Sequence, residues 1–394
     1  MFRKNSPCCF EKILSYLEDP RYPSVGPHLR LLSLTGLWHP NNTKIEKFKL
    51  YLFYITVAFF CSQYIRCLIK CDGESLTLIL QYAPFHMGIV KSCFFQKDYK
   101  KWENVIFYVS SLERDQLLKK NEQSLEINKY IKQSRRVSYF FWALAFFSNF
   151  NIFSEPYRLN QENDDGTNTY KNIFDGYIPY SNEPPGYYVS LIVQTVLGHI
   201  VSAYVVAWDT LVVTIMIFLA GQLKVARINC ERMIIDRDDN ESHENIAYCH
   251  RHHTKLVKYQ KLFNELISPV MYVYLVVISV NLGVCIIQIA QMQDDVTTLI
   301  ASCLFVMACL IQLLLFYWHA NEVTVESTLV SYSTFKSNWP QSTAKIQKEV
   351  AILGLSTNKK LVFRAGPFNE MSLQTFIAIL RASYSFYTLL SKTK

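Results

Sequence analysis

Apolar stretches of membrane-spanning length are the feature that most constrains this sequence. A helix needs about 20 apolar residues to cross roughly 30 Å of hydrocarbon. Seven stretches of suitable length can be placed: Phe48 to Ile69, Leu76 to Gln96, Ser138 to Ser154, Tyr187 to Leu219, Pro269 to Ala290, Val296 to His319 and Phe368 to Leu390. Only 18% of the 394 residues are charged, below the ~25% typical of soluble proteins. The sequence therefore predicts an all-α membrane protein with seven transmembrane helices.

The distribution of lysine and arginine predicts the orientation. Residues 1–47 hold seven of these cations and the stretch from Lys97 to Arg136 holds ten, whereas Glu155 to Gly186 holds two. Because positive residues accumulate on the cytoplasmic side, we expect a cytoplasmic N-terminus and an extracellular C-terminus. The opposite orientation would expose the glycosylation sequons at Asn41 and Asn240 to the outside. So short a motif arises easily by chance, and the charge bias is the stronger indication.

The last span carries small or hydroxyl side chains along one helical face. They recur every three or four residues, at Ser372, Thr375, Ala378, Ala382 and Ser385. Such a face is expected to meet a neighbouring helix or water rather than lipid. The pattern makes this helix a candidate pore wall.

Several polar groups have a structural and a functional interpretation. Lys91 and Arg381 lie inside predicted spans, where a structural ion pair or snorkelling is favoured over a direct role. Asp209 lies in the long fourth span, where a structural role is favoured and where it could mark the inner membrane boundary. The spacing of Cys249, His252 and His253 suits zinc, but a solvated helix explains it equally well. Most of the eleven cysteines fall in spans or in the predicted cytoplasmic segments, so no disulfide framework is expected.

Other classes of function find no support in the sequence. Nucleophile elbows, phosphate-binding glycine loops and zinc-protease motifs are absent from the chain, so we expect no enzyme and no cofactor. The net charge of +8 follows from the basic cytoplasmic segments and does not require nucleic acid.

Aromatic and small polar side chains recur in the outer halves of four spans. Aromatic walls with a few polar groups suit a small apolar ligand, although plain packing is the simpler interpretation of each residue. The candidate ligand-binding residues are Tyr82, Phe85, His86, Phe146, Phe147, Phe150, Gln194, Thr195, Leu197, Gly198, Ser302 and Phe305, with Phe141 nearby. The long segment from Glu155 to Gly186 is a candidate lid.

The final segment carries the most specific resemblance to a known family. Gly366, Phe368, Ser372-Leu373 and the run from Ala382 to Ser385 resemble the C-terminal signature of insect odorant receptors. Further matches follow in the expected order along nearly the whole chain: Pro156, Gln194, Asp209, Gly221-Gln222-Leu223, Asn321-Glu322 and Tyr332 through Trp339-Pro340. Ala320 departs from the glycine that is more frequent in the family at that position.

The resemblance implies a subunit of a ligand-gated cation channel in the plasma membrane of olfactory neuron dendrites. A tuning receptor would form a heterotetramer with an olfactory co-receptor and bind a small volatile odorant. The implied segments are a cytoplasmic N-terminal segment 1–47, a ligand-binding bundle 48–319 with cytoplasmic helix extensions, a cytoplasmic anchor 320–367 and a pore helix with an extracellular end 368–394.

The resemblance also assigns roles to residues near the end of the chain. It places the pore and gate at Ser385, Leu389, Lys392 and Thr393, and the subunit anchor at Tyr332 and Trp339. A neutral amide stands at the position of Lys392 in the co-receptor, so the lysine is expected to oppose cation entry or to form a solvated tail. Core packing is the competing interpretation of the two anchor residues.

Three alternatives have weaker support. A G-protein-coupled receptor needs the opposite orientation, and neither a DRY-like motif nor NPxxY is found. A gustatory-type channel is expected to carry TYxxxxxQF in the last span, where Ser383-Tyr384 leads instead to Thr388-Leu389-Leu390. A transporter would be expected to show an internal inverted repeat or a midplane charge cluster.

Overall fold

The chain is almost entirely helical. The computed structural model describes residues 16–70, 79–80, 82–119, 122–159, 172–174, 184–236, 238–291 and 296–392. The helices with described bounds are α1 (Gly26–Leu34), α2 (Lys44–Lys70), α3 (Ala83–Lys97), α4 (Tyr99–Leu118), α5 (Glu122–Leu159), α6 (Gly186–Glu231), α7 (Asp239–Gln291), α8 (Val296–Thr334), α9 (Ala344–Thr357) and α10 (Leu373–Lys392). The all-α prediction is confirmed.

Each of the seven predicted spans coincides wholly or largely with one of these helices. Within the described residues, four helices are long and apolar enough to cross a membrane, at Lys44–Ile69, Gly186–Glu231, Asp239–Ile286 and Leu299–Gln341. The second predicted span corresponds to α3, which is only 15 residues long as described. The full count of seven therefore stays a prediction, as does the orientation of the ends.

Helix α6 forms the centre of the bundle. It packs against α1, α3, α5, α7 and α8. In its most apolar 18-residue stretch 94% of the residues are buried, whereas the corresponding share in α2 is 22%. A helix that is apolar on every side is expected in the interior of a helical protein, because it has no polar face to turn outward. The stretch from Leu211 to Leu219, which is apolar at every position except Thr214, gives α6 this property.

The basic stretch from Lys97 to Arg136 is not the loop that the sequence suggested. It forms α4 and the first part of α5. Trp102, Val105, Ile106 and Val109 recur every three or four residues and are about 1% exposed. The amphipathic spacing of these apolar residues makes the segment a packed helix, although many charged residues lie between them.

The long helices α6, α7 and α8 continue well past the predicted spans. Ion pairs join two of these extensions, from Lys224 to Glu322 at 2.9 Å and from Arg227 to Glu326 at 2.7 Å. Helix α9 packs along α7 and α8 and buries Ile346, Val350 and Leu353. Together these elements form a polar-surfaced helical base below the apolar bundle.

A short hairpin separates this base from α10. Strand β1 (Arg364–Ala365) pairs with β2 (Asn369–Glu370) in an antiparallel ladder. Gly366 turns the chain with φ of +72°, and its N–H donates to the Ser268 carbonyl at 3.1 Å. The turn needs a glycine, since only glycine adopts this φ without strain. Its hydrogen bond anchors the break between the base and α10 to α7.

Candidate functional site

Aromatic rings from four elements meet around Phe174, which lies in the connection between α5 and α6. We call Phe60, Tyr82, Phe85, Phe153 and Phe174 the Phe174 cluster. The Phe174 ring centroid lies 5.2 Å from Phe60, 5.6 Å from Tyr82 and 6.3 Å from both Phe85 and Phe153. These are edge-to-face distances that favour aromatic packing. Phe174 is 2% exposed, so this part of the connection fills a space between helices.

Gln194 holds this part of the connection in place. Its side-chain carbonyl accepts hydrogen bonds from the backbone N–H groups of Ile173 and Phe174, both at 2.9 Å. Gln194 is fully buried on α6. Because a buried backbone N–H without a partner is costly, the two bonds fix Phe174 in the cluster.

His86 is the polar residue at the edge of the cluster. Its ring lies 5.3 Å from Phe60 and 5.1 Å from Tyr64, and the residue is 6% exposed. Neither ring nitrogen makes a hydrogen bond with the residues that the structure describes. An imidazole carries one donor and one acceptor, so this site offers both to a ligand among apolar walls.

A small cavity adjoins the cluster on its inner side. It is lined by Phe85, Phe141, Phe305 and other side chains of α3, α5, α6 and α8, and its volume is about 50 Å³. One polar wall is formed by Asn149 on α5, which donates to the Ser202 hydroxyl on α6. This volume is far below the roughly 300 Å³ of a small-molecule pocket, so a volatile ligand requires side chains to move.

A buried ion pair is linked to this cavity through Gln312. Lys91 and Asp209 are joined at 2.6 Å, with side chains 0% and 3% exposed. Gln312, which also lines the cavity, donates to the other Asp209 oxygen. The Lys91 ammonium lies 4.3 Å from the ring centre of Tyr274, a cation–π contact. The expected structural role of Lys91 and Asp209 agrees with this geometry.

The candidate ligand-binding residues are placed in three different environments. Tyr82, Phe85, His86, Gln194 and Phe305 belong to the cluster, its polar edge or the cavity, and Gly198 faces the Phe153 ring. Thr195 bonds to the Leu191 carbonyl and to the Tyr157 hydroxyl, while Leu197 and Ser302 are half-buried. Three phenylalanines are about 60% exposed and point away from the cavity: Phe146, Phe147 and Phe150.

The small-residue face of α10 has little contact within the subunit. Ala378, Ala382 and Ser385 are exposed, whereas Ile379 and Ser383 on another face are buried. The backbone of Leu389 and Lys392 lies within α10, but their side chains and the whole of Thr393 lie outside the described residues. The exposed stripe is the surface that the sequence assigned to a pore.

The two anchor candidates lie on the helical base. Tyr332 is 62% exposed at the end of α8. Trp339 is half-buried, and its indole N–H donates to the Phe335 carbonyl at 3.3 Å. Other exposed apolar residues lie on the same base, including Ile352 at 65% and Leu355 at 78%.

The structure does not support a metal site at Cys249, His252 and His253 of α7 within the described residues. No group of three or more His, Cys, Asp or Glu side chains suited to a metal ion occurs in the described ranges. His252 bonds instead to the side-chain carbonyl of Gln222 at 3.1 Å. Burial lowers the pKa of His252 to about 4, so the imidazole is neutral at physiological pH.

Sequence reasoning missed Phe174 as a site residue. It lies in a polar segment rich in Asn, Asp and Gly, where the apolar pair Ile173-Phe174 is the one local signal. An apolar pair inside a long polar connection is the pattern of a loop that packs back onto the core. The Lys91–Asp209 pairing was also invisible, because it joins residues 118 apart in sequence.

Comparison with known proteins identifies the fold and the family. The structure superposes on the insect olfactory receptor OR5 from Machilis hrabei with a TM-score of 0.78, 14% identity and coverage of 98% of this chain and 99% of that chain. The same receptor in complex with eugenol matches with a TM-score of 0.77 and 14% identity, over 94% of this chain and 98% of that chain. These similarities show the fold.

Sequence relatives give the same result. Odorant receptor 10 of Aedes albopictus is 24% identical over 55% of this chain and 57% of its own length. Odorant receptor 82a of Drosophila melanogaster is 24% identical over 53% of this chain and 54% of its own length. The chain thus spans about half the length of these relatives.

The family model described as 7tm Odorant receptor matches residues 73–384, which covers most of the chain, the second to sixth predicted spans and most of the last. The expected resemblance is confirmed, and with it the expectation that the protein is a receptor and not an enzyme. The chain belongs to the 7tm odorant receptor family.

Proposed function

We propose that this chain is the odorant-binding subunit of a cation channel that it forms with an olfactory co-receptor. The observation that carries the proposal is the Phe174 cluster with the imidazole of His86 at its edge, which has no hydrogen-bond partner among the described residues. A space lined by aromatic rings with one donor and one acceptor fits a small volatile that carries a hydroxyl or carbonyl group. The related receptor OR5 binds eugenol, a ligand of this chemical class.

In this proposal the odorant takes the place of the Phe174 ring. The cavity beside the cluster is too small for a volatile molecule, and Phe174 is the cluster ring that the connection between α5 and α6 supplies. Moving this part of the connection out of the cluster breaks the hydrogen bonds that the backbone N–H groups of Ile173 and Phe174 donate to Gln194. The bound state therefore differs from the resting state at the outer ends of α3, α5 and α6.

The proposed roles in pore formation and subunit assembly are based on two surfaces that are exposed in the single subunit. The exposed stripe of Ala378, Ala382 and Ser385 on α10 suits a water-filled conduit between subunits. The exposed apolar residues Tyr332, Ile352 and Leu355 on the base suit contacts with other subunits. Seven spans, a cytoplasmic N-terminus and placement in the dendritic plasma membrane complete the proposal.

Co-expression of this chain with an olfactory co-receptor tests the proposal. Odorant-evoked currents would be recorded from cells that express the pair and from cells that express either chain alone. The odorants would be matched pairs of equal skeleton, such as benzyl alcohol with toluene and acetophenone with ethylbenzene. We expect rapid cation currents from the pair and a preference for the oxygenated member. Absence of any evoked current from the pair would contradict the proposal.

Substitution of Gln194 tests the displacement step. Gln194→Leu removes the acceptor for two backbone N–H groups, each worth about 1 kcal/mol, so Phe174 leaves the cluster more easily. The apparent dissociation constant equals the intrinsic one divided by the occupancy of the competent state, so a change of about 2 kcal/mol should raise sensitivity by up to roughly 30-fold. Unchanged or lower sensitivity would contradict displacement of Phe174.

Substitution of His86 tests the polar contact. His86→Phe keeps an aromatic ring in the cluster but removes both hydrogen-bonding nitrogens, so the preference for oxygenated odorants should fall. His199→Phe is the matched control, because the His199 ring also packs on Phe153 but already bonds to the Thr195 carbonyl at 2.8 Å. Equal preferences in both variants and the wild type would remove His86 from the site.

A further inference from the structure

One charged side chain of α10 has no partner within the subunit. Arg381 is exposed, and no hydrogen bond or ion pair joins its guanidinium to any residue that the structure describes. No Asp or Glu occurs between Leu373 and Lys392, so the helix itself supplies no counter-charge. The surroundings of this cation must therefore come from outside the single subunit.

Arg381 lies on the face of α10 that points away from its own subunit. Helix α10 packs against α7 and α8, and Ile379 and Ser383 are buried in it, at 8% and 4% exposed. A step of two residues turns a helix by about 200°, so both lie nearly opposite Arg381. Ala378 and Ser385 are exposed, and both lie within about 60° of Arg381 around the helix. The arginine thus shares the face that is proposed to line the pore.

The position of Arg381 along α10 restricts what can surround the charge. At a rise of about 1.5 Å per residue, Arg381 lies about 12 Å from the start of the helix at Leu373 and about 17 Å from its end at Lys392. In a spanning α10 this is close to the middle of a hydrocarbon core about 30 Å thick. A charged side chain at that depth is costly in lipid and is found beside water or a counter-charge.

The composition of α10 favours water. Helix α10 is not among the four described helices that are apolar enough to cross a membrane by their own hydropathy. Besides Arg381, its exposed face carries the hydroxyl of Ser385 and the amide of Gln374. Gln374 lies seven residues before Arg381, which places both side chains on one side of the helix. A polar face of this kind suits a water-filled conduit.

We propose that Arg381 faces the water of the conduit and repels cations there, so that it sets the ratio of divalent to monovalent permeability. This role rests on the proposed function, because it requires α10 to line a pore. A unit charge about 10 Å from the ion path in water lowers the local concentration of a monovalent cation by about twofold and of a divalent cation by about fourfold. Each copy of this chain in the channel contributes one such charge.

Single-channel recording of the co-expressed pair tests the repulsion. The wild type would be compared with Arg381→Gln and Arg381→Lys in sodium and calcium solutions. We expect Arg381→Gln to raise the sodium conductance by about twofold and the calcium-to-sodium permeability ratio also by about twofold, because a divalent ion is repelled twice as strongly. Arg381→Lys keeps the charge and should behave like the wild type. Arg251→Gln removes an exposed arginine from the base; as the matched control, it should change neither quantity.

Cysteine modification tests whether this side of α10 meets water. Arg381→Cys would be treated during odorant application with a cationic and, separately, an anionic methanethiosulfonate reagent. Both reagents are charged and react in water, so a side chain that faces lipid stays unmodified. We expect the cationic reagent to lower the current, because it restores the positive charge, and the anionic reagent to raise it. The wild type controls for the exposed thiols of Cys61, Cys93 and Cys303, and its current should not change.

The possible results separate the role of Arg381 from the proposed function. Absence of odorant-evoked current from the wild-type pair would overturn the proposed function and the role of Arg381 with it. A normal wild-type current would overturn the role of Arg381 alone in either of two cases. One is an unchanged conductance and permeability ratio in Arg381→Gln, and the other is no reaction of Arg381→Cys. Either result would indicate lipid or an acidic side chain of another subunit around the guanidinium.

Discussion

Breaking the buried ion pair between Lys91 and Asp209 should destabilise the receptor far more than removing both partners. The two side chains are almost completely buried and 2.6 Å apart. In Asp209→Asn the ammonium keeps its contacts with Tyr274, Trp208 and Phe316 but loses its counter-charge. An unpaired buried charge costs about 3–5 kcal/mol, because desolvation is no longer offset by attraction to a partner.

The double variant Lys91→Met with Asp209→Asn has no buried charge. Met fills the volume of the lysine stem among the aromatic rings, and Asn keeps a carbonyl that accepts from Gln312. We expect most of the lost stability to return, because replacing a whole buried pair is often neutral. The coupling between the two substitutions should therefore be several kcal/mol, well above the roughly 0.5 kcal/mol error of additivity.

The assay is the melting temperature of the solubilised receptor, followed by fluorescence-detected size-exclusion chromatography, with surface expression as a second readout. Removing the exposed pair between Lys101 and Asp98, which are 3.0 Å apart, is the matched control and should change stability by less than about 1 kcal/mol. The reasoning is refuted if Asp209→Asn melts like the wild type, or if the double variant is less stable than the single variant.

Three further predictions concern the base, the bundle and the pore. Burial raises the pKa of Glu113 from 4.5 to about 7, so the folded state binds the proton more tightly and stability falls as pH rises between these values. Glu113→Gln should reduce this loss of stability between about pH 5 and about pH 8. The control Asp115→Asn, on the exposed face of α4, should leave the loss unchanged. Equal slopes of stability against pH in the two variants would refute this prediction. A Cβ at Gly221 would overlap the Tyr130 ring, so Gly221→Val should lower melting temperature and expression by separating α5 from α6. Lys392→Gln should raise the divalent-cation permeability of the co-expressed channel, and reversal potentials that do not shift would contradict this.

Parts of the architecture followed directly from sequence. The seven apolar stretches located the long helices, because length and hydropathy are local properties that each segment carries by itself. The break at Gly366 was predictable for the same reason, since its glycine and the following proline act on the backbone next to them. Charge density misled the prediction at α4, where buried residues such as Trp102 and Ile106 lie among many cations.

The candidate site was predictable only in part. Aromatic residues in the spans indicated a ligand region, and Tyr82, Phe85 and His86 lie together at the Phe174 cluster. The sequence did not indicate which face of each helix turns inward, so Phe146, Phe147 and Phe150 were included although they are exposed. The side of a helix that turns inward is decided by how the helix packs against its neighbours. Aromatic side chains occur on the inward and the outward side of a membrane helix, so their positions in the sequence do not identify the inward one.

By itself, the sequence determined the class of the protein, the positions of its helices and the family to which it belongs. The tertiary structure decided which distant residues meet: Phe174 with Gln194, and Lys91 with Asp209. The physical reason is one of range. Hydropathy and turn chemistry act within a few residues, whereas these contacts depend on the packing of whole helices around α6, which places side chains against each other regardless of their separation along the chain.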